Sequence, residues 1–165
     1  MTDSEAQEIK EQLQYLKNRE PKRGDIIHFL NFSCKVCPLA RPRKAKAGHM
    51  YQPKENQREL LYEVMHERSL MKPTPKIIDY PIIVDHHIQF KRSKSCKSEF
   101  VVSKQLGDLD NISKAINDAL VTGKFLKDDS FIVATDAYKF YDLDFDAIDF
   151  CTVIIYRAIL ENKDE

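Results

Sequence analysis

Tryptophan is absent from this 165-residue chain, and only four glycines and seven prolines interrupt it. That scarcity excludes a collagen-like repeat and a low-complexity linker. Four cysteines are too sparse for a disulfide framework and suit a reducing compartment. No apolar run approaches the roughly 20 residues that span a bilayer. The polar N-terminal stretch shows no secretory or transit pattern, so a cytoplasmic protein is expected. Net charge is missing as well, because 26 basic residues balance 26 acidic ones.

What is present fits one domain with a short appendage, since domains average about 150 residues. Hydrophobic residues form 42% of the chain and charged ones 32%, enough of each for a core and a solvated surface. The charges are segregated. Ile26 to Lys54 holds no acid but carries Lys35, Arg41, Arg43, Lys44, Lys46 and Lys54. His86 to Ser98 is a second acid-free window, with Lys91, Arg92, Lys94 and Lys97. Acids gather later, at Asp128, Asp129, Asp136, Asp142, Asp144, Asp146 and Asp149. Such separation suggests one surface for a polyanion and another for cations, although a lysine-rich loop is also ordinary solvated surface.

Periodicity predicts a helix over residues 4–19, with Ala6, Ile9, Leu13 and Leu16 on one narrow stripe and Pro21 and Gly24 ending it. A stripe that narrow implies docking on its own domain or on a partner. Asp25 to Phe32 reads as a strand, residues 38–53 as a basic, proline-containing loop, and Glu55 to Leu70 as a helix stopped by Pro73 and Pro75. Pro81 to Phe90 alternates as a strand, with His86 and His87 facing opposite ways, one core-lining and one exposed. Phe100, Val101 and Val102 read as a continuation of the sheet. Leu109 to Leu120 is the clearest helix, followed by Gly123, and two strands close the chain at Phe131 to Phe140 and Ala147 to Ile159. The order implies an α/β or α+β fold: a small mixed sheet packed by two main helices, plus the N-terminal helix.

The chemistry is concentrated between Gly107 and Asp129. Asp108 and Asp110 flank Leu109 in chain expected to be extended, which would point both carboxylates the same way. Two such groups repel unless a cation sits between them. A hard divalent ion takes one or two carboxylates, water and substrate phosphate, and Asp129 is placed to add a third ligand after the helix. A bound ion of this kind activates water and clamps the oxygens of a phosphodiester. Lys114, four residues past Asp110 and four before Asp118, is placed to neutralise charge on a phosphate. Plain alternatives exist: Asp110 and Asn111 as helix caps, Lys114 as a surface partner of Asp118.

These residues resemble a family. Asp-Leu-Asp-Asn-x-x-Lys from Asp108, a helix closing on Asp118-Ala119-Leu120, and Asp128-Asp129-Ser130 before a strand are similar to the RusA Holliday-junction resolvases. Arg41-Pro42-Arg43, then Tyr51, Pro53 and Lys54 before a helix, resemble that family's basic strand-loop-helix. The likeness spans roughly Asp25 to Arg157. It implies an endonuclease domain over 25–160, which leaves a helical extension over 1–24 before it and a polar tail over 161–165. It further implies a homodimeric endonuclease that uses Mg²⁺, or Mn²⁺ in its place, to nick a four-way DNA junction. By position, Asp108, Asp110 and Asp129 would be the essential acids and Lys114 the catalytic lysine, with Asp128 a further metal candidate. Arg41, Arg43, Lys44 and Lys46 would contact junction phosphates, binding that weakens with salt. The N-terminal helix departs from the minimal family pattern and offers a surface for a protein partner.

Other residues carry weaker signals. Cys34 and Cys37 have the spacing of half a zinc site but lack a nearby second half. Asp142, Asp144 and Asp146 imitate a calcium loop without its glycine or its closing glutamate, and read as an acidic turn. His49 reads as a phosphate contact or as a solvated loop residue. Two rival functions remain open: a branched-DNA-binding protein of the same fold without turnover, and a phosphohydrolase of small nucleotides. The broad basic loop and the lack of a glycine-rich phosphate cradle disfavour the latter.

Overall fold

The computed structural model describes residues 3–36, 43–44, 50–51, 57–94, 96, 98, 101, 107–142 and 148–159. In chain order these form α1 (Asp3–Lys17), β1 (Lys22–Phe32), β2 (Arg43–Lys44), β3 (Met50–Tyr51), α2 (Arg58–Leu70), β4 (Ile82–Phe90), α3 (Leu109–Thr122), β5 (Ile132–Tyr141) and β6 (Phe150–Ile159). A short 3₁₀ turn, Asp129–Phe131, leads into β5. The expected α+β architecture with a mixed sheet is what forms.

The main sheet has the order β1-β6-β4-β5. β6 runs antiparallel to both β1 and β4, whereas β4 and β5 are parallel. Parallel neighbours need a crossover, and α3 supplies it. The last strand in sequence therefore inserts between the first and β4, a non-local pairing that alternation alone does not disclose. β2 and β3 make a separate two-residue ladder, with Arg43 opposite Tyr51 and Lys44 opposite Met50, inside the stretch expected to be loop.

Both main helices belong to one core. Leu30 and Phe32 of β1, Val84 and Ile88 of β4, and Val153 and Ile155 of β6 meet Leu60 and Val64 of α2 and Ile112, Ile116 and Leu120 of α3. Each of the three α3 side chains is fully buried, which contributes about 1.5–3 kcal/mol apiece before chain entropy is counted. β6 shows the half-buried pattern cleanly, Cys151, Val153 and Ile155 alternating with less buried residues. β4 does not, because it is interior and Ile82 through His86 are all buried. On its other face, Arg23 reaches across the sheet from β1, pairing with Asp85 at 2.9 Å and also with Asp136.

Several local expectations are corrected. Gly24 does not end the N-terminal helix: β1 already starts at Lys22, and a Cβ at Gly24 would stand 2.6 Å from Ile159 Cδ1. Gly123 follows the end of α3 as expected, with φ −75°, and the left-handed residue is Lys124 at φ 67°. Glycine is needed at 123 for close approach, because a Cβ would lie 2.5 Å from Val64 Cγ1 where α3 crosses α2. Arg68 reinforces that junction, its Nη2 donating to the Pro75 carbonyl at 2.8 Å and its Nε to that of Lys124 at 3.1 Å. Val101 is buried but lies in no strand; Phe100 and Val102 lie outside the described residues. Finally, the stripe of α1 is not docked on its own domain: Ile9, Leu13 and Leu16 are 47–58% exposed.

Candidate active site

Helix α3 has two chemically distinct faces. The apolar one carries Ile112, Ala115, Ile116, Ala119 and Leu120 into the core. Positions three and four apart are neighbours on a helix, so Asp110, Ser113, Lys114 and Asn117 share the adjoining face. All four line a solvent-open cavity of about 670 Å³, together with Leu109, Asp129 of the 3₁₀ turn, and Thr135 and Ala137 of β5. The small side chain of Ala137 lies beside His86 of β4 in the strand register. The parallel β4–α3–β5 unit thus builds the site, with strands as floor and the helix as wall.

Entry into α3 is set by Gly107, whose φ of 83° favours glycine, and by Lys139 of β5, whose Nζ donates to the Gly107 carbonyl at 2.9 Å. Asp108 is the N-cap residue, yet its side chain makes no capping hydrogen bond. Asp110 is already in the first helical turn, where a carboxylate is favoured by the helix dipole. The expectation that Asp108 and Asp110 flank Leu109 in extended chain is therefore wrong: the helix begins at Leu109 and turns Asp110 away from the side that a strand would give it.

At the far end, Asp128 accepts the Ser130 backbone N–H at 2.9 Å, and this bonding to Ser130 holds its carboxyl below the usual range. Asp128 thus behaves as the cap of the 3₁₀ turn. Asp129 turns toward the cavity and raises the pKa of Asp118. Desolvation is the larger cause of that rise, and Lys114 opposes it. Asp118 and Asp108 are ten residues apart, about 15 Å along the axis at 1.5 Å per residue. The helix consequently separates Asp108 from the 3₁₀ turn.

The structure brings Asp110, Lys114 and Asp129 to one cavity and leaves Asp108 and Asp128 off its lining. Among the described residues, no three His, Cys, Asp or Glu side chains are grouped closely enough to hold a metal ion together. The expected convergence of Asp108, Asp110 and Asp129 is therefore not seen. Of the basic candidates, Arg43 and Lys44 fall in β2, and Arg41 and Lys46 lie outside the described residues, as do Cys37, His49, Asp144 and Asp146. Cys34 is buried next to Cys151, whose thiol is pushed up by burial first and by Cys34 second. His86 is fully buried and His87 half-buried against Tyr138, their rings 5.3 Å apart.

Sequence reasoning missed Ser113, Asn117 and Thr135 as parts of the site. The signal for the first two was there, because 110, 113, 114 and 117 recur at helical spacing. Ser113 Oγ and Asn117 Oδ1 are buried without a hydrogen-bond partner. With the Ser113 hydroxyl, the Asp110 and Asp129 carboxylates give the cavity a hard-oxygen donor set. That set fits Mg²⁺, which keeps several waters and takes only one or two carboxylates directly.

A mixed α+β scaffold that opens carboxylates and a lysine onto one groove has the equipment of a phosphodiester-processing protein. Comparison with known families agrees: the profile of the endodeoxyribonuclease RusA family matches residues 33–148. The chain belongs to the RusA endodeoxyribonuclease family. The match includes α2, β4, α3 and β5 and stops short of β1 and β6, a narrower span than Asp25 to Arg157. No curated protein matches the chain.

Proposed function

We propose that this protein is a Mg²⁺-dependent endonuclease that resolves four-way DNA junctions by paired nicks as a homodimer. The observation that carries the reading is the shared cavity of Asp110, Lys114 and Asp129 in a RusA-family chain. Asp110 and Asp129 would hold the metal, with Asp108 at the helix N-terminus contributing through bound water. When bound, the ion supplies an activated water and charge stabilisation for phosphodiester hydrolysis. Lys114, exposed on the same wall, faces the non-bridging phosphate oxygens and stabilises negative charge developing there. Asp118 orients the Lys114 ammonium from one helical turn away.

Arg41, Arg43, Lys44 and Lys46 neutralise junction phosphates, positioning DNA without reading its sequence. Two copies would present two cavities in register, matching the approximate two-fold symmetry of a four-way junction. The undocked stripe of α1 is the surface for a protein partner in this reading. The test is a labelled four-way junction incubated with Mg²⁺, then with EDTA, for the wild type and Asp110→Asn. Paired nicks that vanish with EDTA and fall about 100-fold or more in Asp110→Asn, with junction binding retained, are expected. Junction binding without cutting under any divalent metal would establish the non-catalytic DNA-binding reading instead.

A further inference from the structure

Beneath the cavity lies a group the nuclease reading leaves unused. His86 projects from interior strand β4 toward α3, fully buried, with neither ring nitrogen hydrogen-bonded. The Asn117 amide lies against this ring, and the two adjoin without meeting hydrogen-bond geometry. Ser113 Oγ, one turn earlier on α3, is the next orphan. Four of the five unpartnered buried side-chain atoms among the described residues therefore belong to His86, Ser113 and Asn117. Buried polar groups in folded proteins are almost always satisfied, so such a concentration marks a place where bonds complete themselves with a small adjustment or on binding.

The inventory of donors decides how. A neutral imidazole has one N–H donor and one acceptor nitrogen, and the orphan atom of Asn117 is an acceptor oxygen. Within the His86–Asn117 pair the ring N–H is the donor to that oxygen, and the Ser113 hydroxyl one turn earlier is a second donor on the same seam. Once Oδ1 is held from below, the two amide N–H bonds of Asn117 have one direction left, toward the cavity that Asn117 lines with Asp110, Lys114 and Asp129. We propose that His86 is a positioning residue whose ring N–H fixes Asn117 Oδ1, so that the Asn117 amide donates to a phosphate oxygen of the bound DNA. The proposal rests on the endonuclease reading for the identity of that oxygen, and on the buried seam alone for the His86–Asn117 link.

Two measurements on the full-length chain test it. In the free wild type, long-range ¹⁵N–¹H spectra of the imidazole should show one protonated His86 nitrogen with a slowly exchanging proton. A His86 N–H exchanging as fast as that of an exposed histidine overturns the link. In junction cleavage, Asn117→Ala and His86→Leu should each lower kcat/KM by about tenfold or more, the worth of one hydrogen bond to a charged group. The double variant should be no worse than either single one, because the two side chains act as a unit. His86→Gln, which restores an N–H donor, should recover much of the loss. Multiplying losses in the double variant, or full activity in His86→Leu, overturns the proposal. Should the wild type cut no junction with any divalent metal, the endonuclease reading fails separately. The exchange measurement and the junction affinities of the same variants then still decide the His86 proposal.

Discussion

Replacing His86 should change the pH dependence of this protein's stability in acid and leave that dependence unchanged above neutrality. Burial lowers the His86 pKa from 6.5 to about 4, outweighing the neighbouring Asn117 and Asp85, which favour the charged ring; His87 adds to the lowering. At pH 7.5 the ring is neutral in the folded and the unfolded chain, so no proton is exchanged on unfolding. Below pH 6.5 the unfolded chain takes up a proton that the folded chain refuses, and stability falls until about pH 4, where both forms are charged. Each tenfold difference in proton affinity is worth about 1.4 kcal/mol, so the total loss is about 3 kcal/mol. The assay is urea unfolding of the wild type and His86→Leu at half-unit intervals from pH 4 to 8. Other groups with shifted pKa values also titrate. His28 is also lowered by burial and by Arg68, Asp118 is raised chiefly by desolvation, and Asp128 is lowered by its bonds to Ser130. All three remain in the variant, so the difference between the two curves isolates His86. The curves should separate by about 3 kcal/mol between pH 6.5 and 4, the wild type losing more. Parallel curves would refute the claim that a neutral imidazole is enclosed there.

Two further perturbations probe what holds the site in place. Gly123→Ala forces a methyl to within 2.5 Å of Val64 Cγ1, and overpacking of this kind should cost about 1–3 kcal/mol in urea unfolding. Adding Val64→Ala makes room for that methyl, so the double variant should be more stable than the sum of the two single losses, and strict additivity would argue against the contact. Arg23→Met leaves the Asp85 carboxylate, 7% exposed, without its partner and should destabilise by about 1–3 kcal/mol, whereas Asp136→Asn at a half-exposed site should cost under about 1 kcal/mol. Equal losses in thermal or urea unfolding would show that burial does not set the value of this cluster.

The amino-acid sequence by itself determined the elements and most of the chemistry. Helical spacing placed Ile112, Ala115, Ile116 and Leu120 on the core side of α3, and alternation marked β4, because both patterns are local and set by backbone geometry. The run from Asp108 to Asp129 disclosed the acids and the lysine through residue type and spacing, and with them the family. Tertiary structure decided what these residues face. Whether Asp108 points with Asp110 depended on a helix starting one residue after Asp108, and Asp129 shares a cavity with Asp110 only because α3 returns the chain parallel to β4. The pairing of Arg23 with Asp85 and Asp136 spans 62 and 113 residues, and the seating of Gly123 on Val64 joins two helices. The burial of His86 against Asn117 was likewise decided by how β4 and α3 stack. Contacts of this kind arise from how layers stack, and a one-dimensional pattern records which face a side chain takes but not what it meets there.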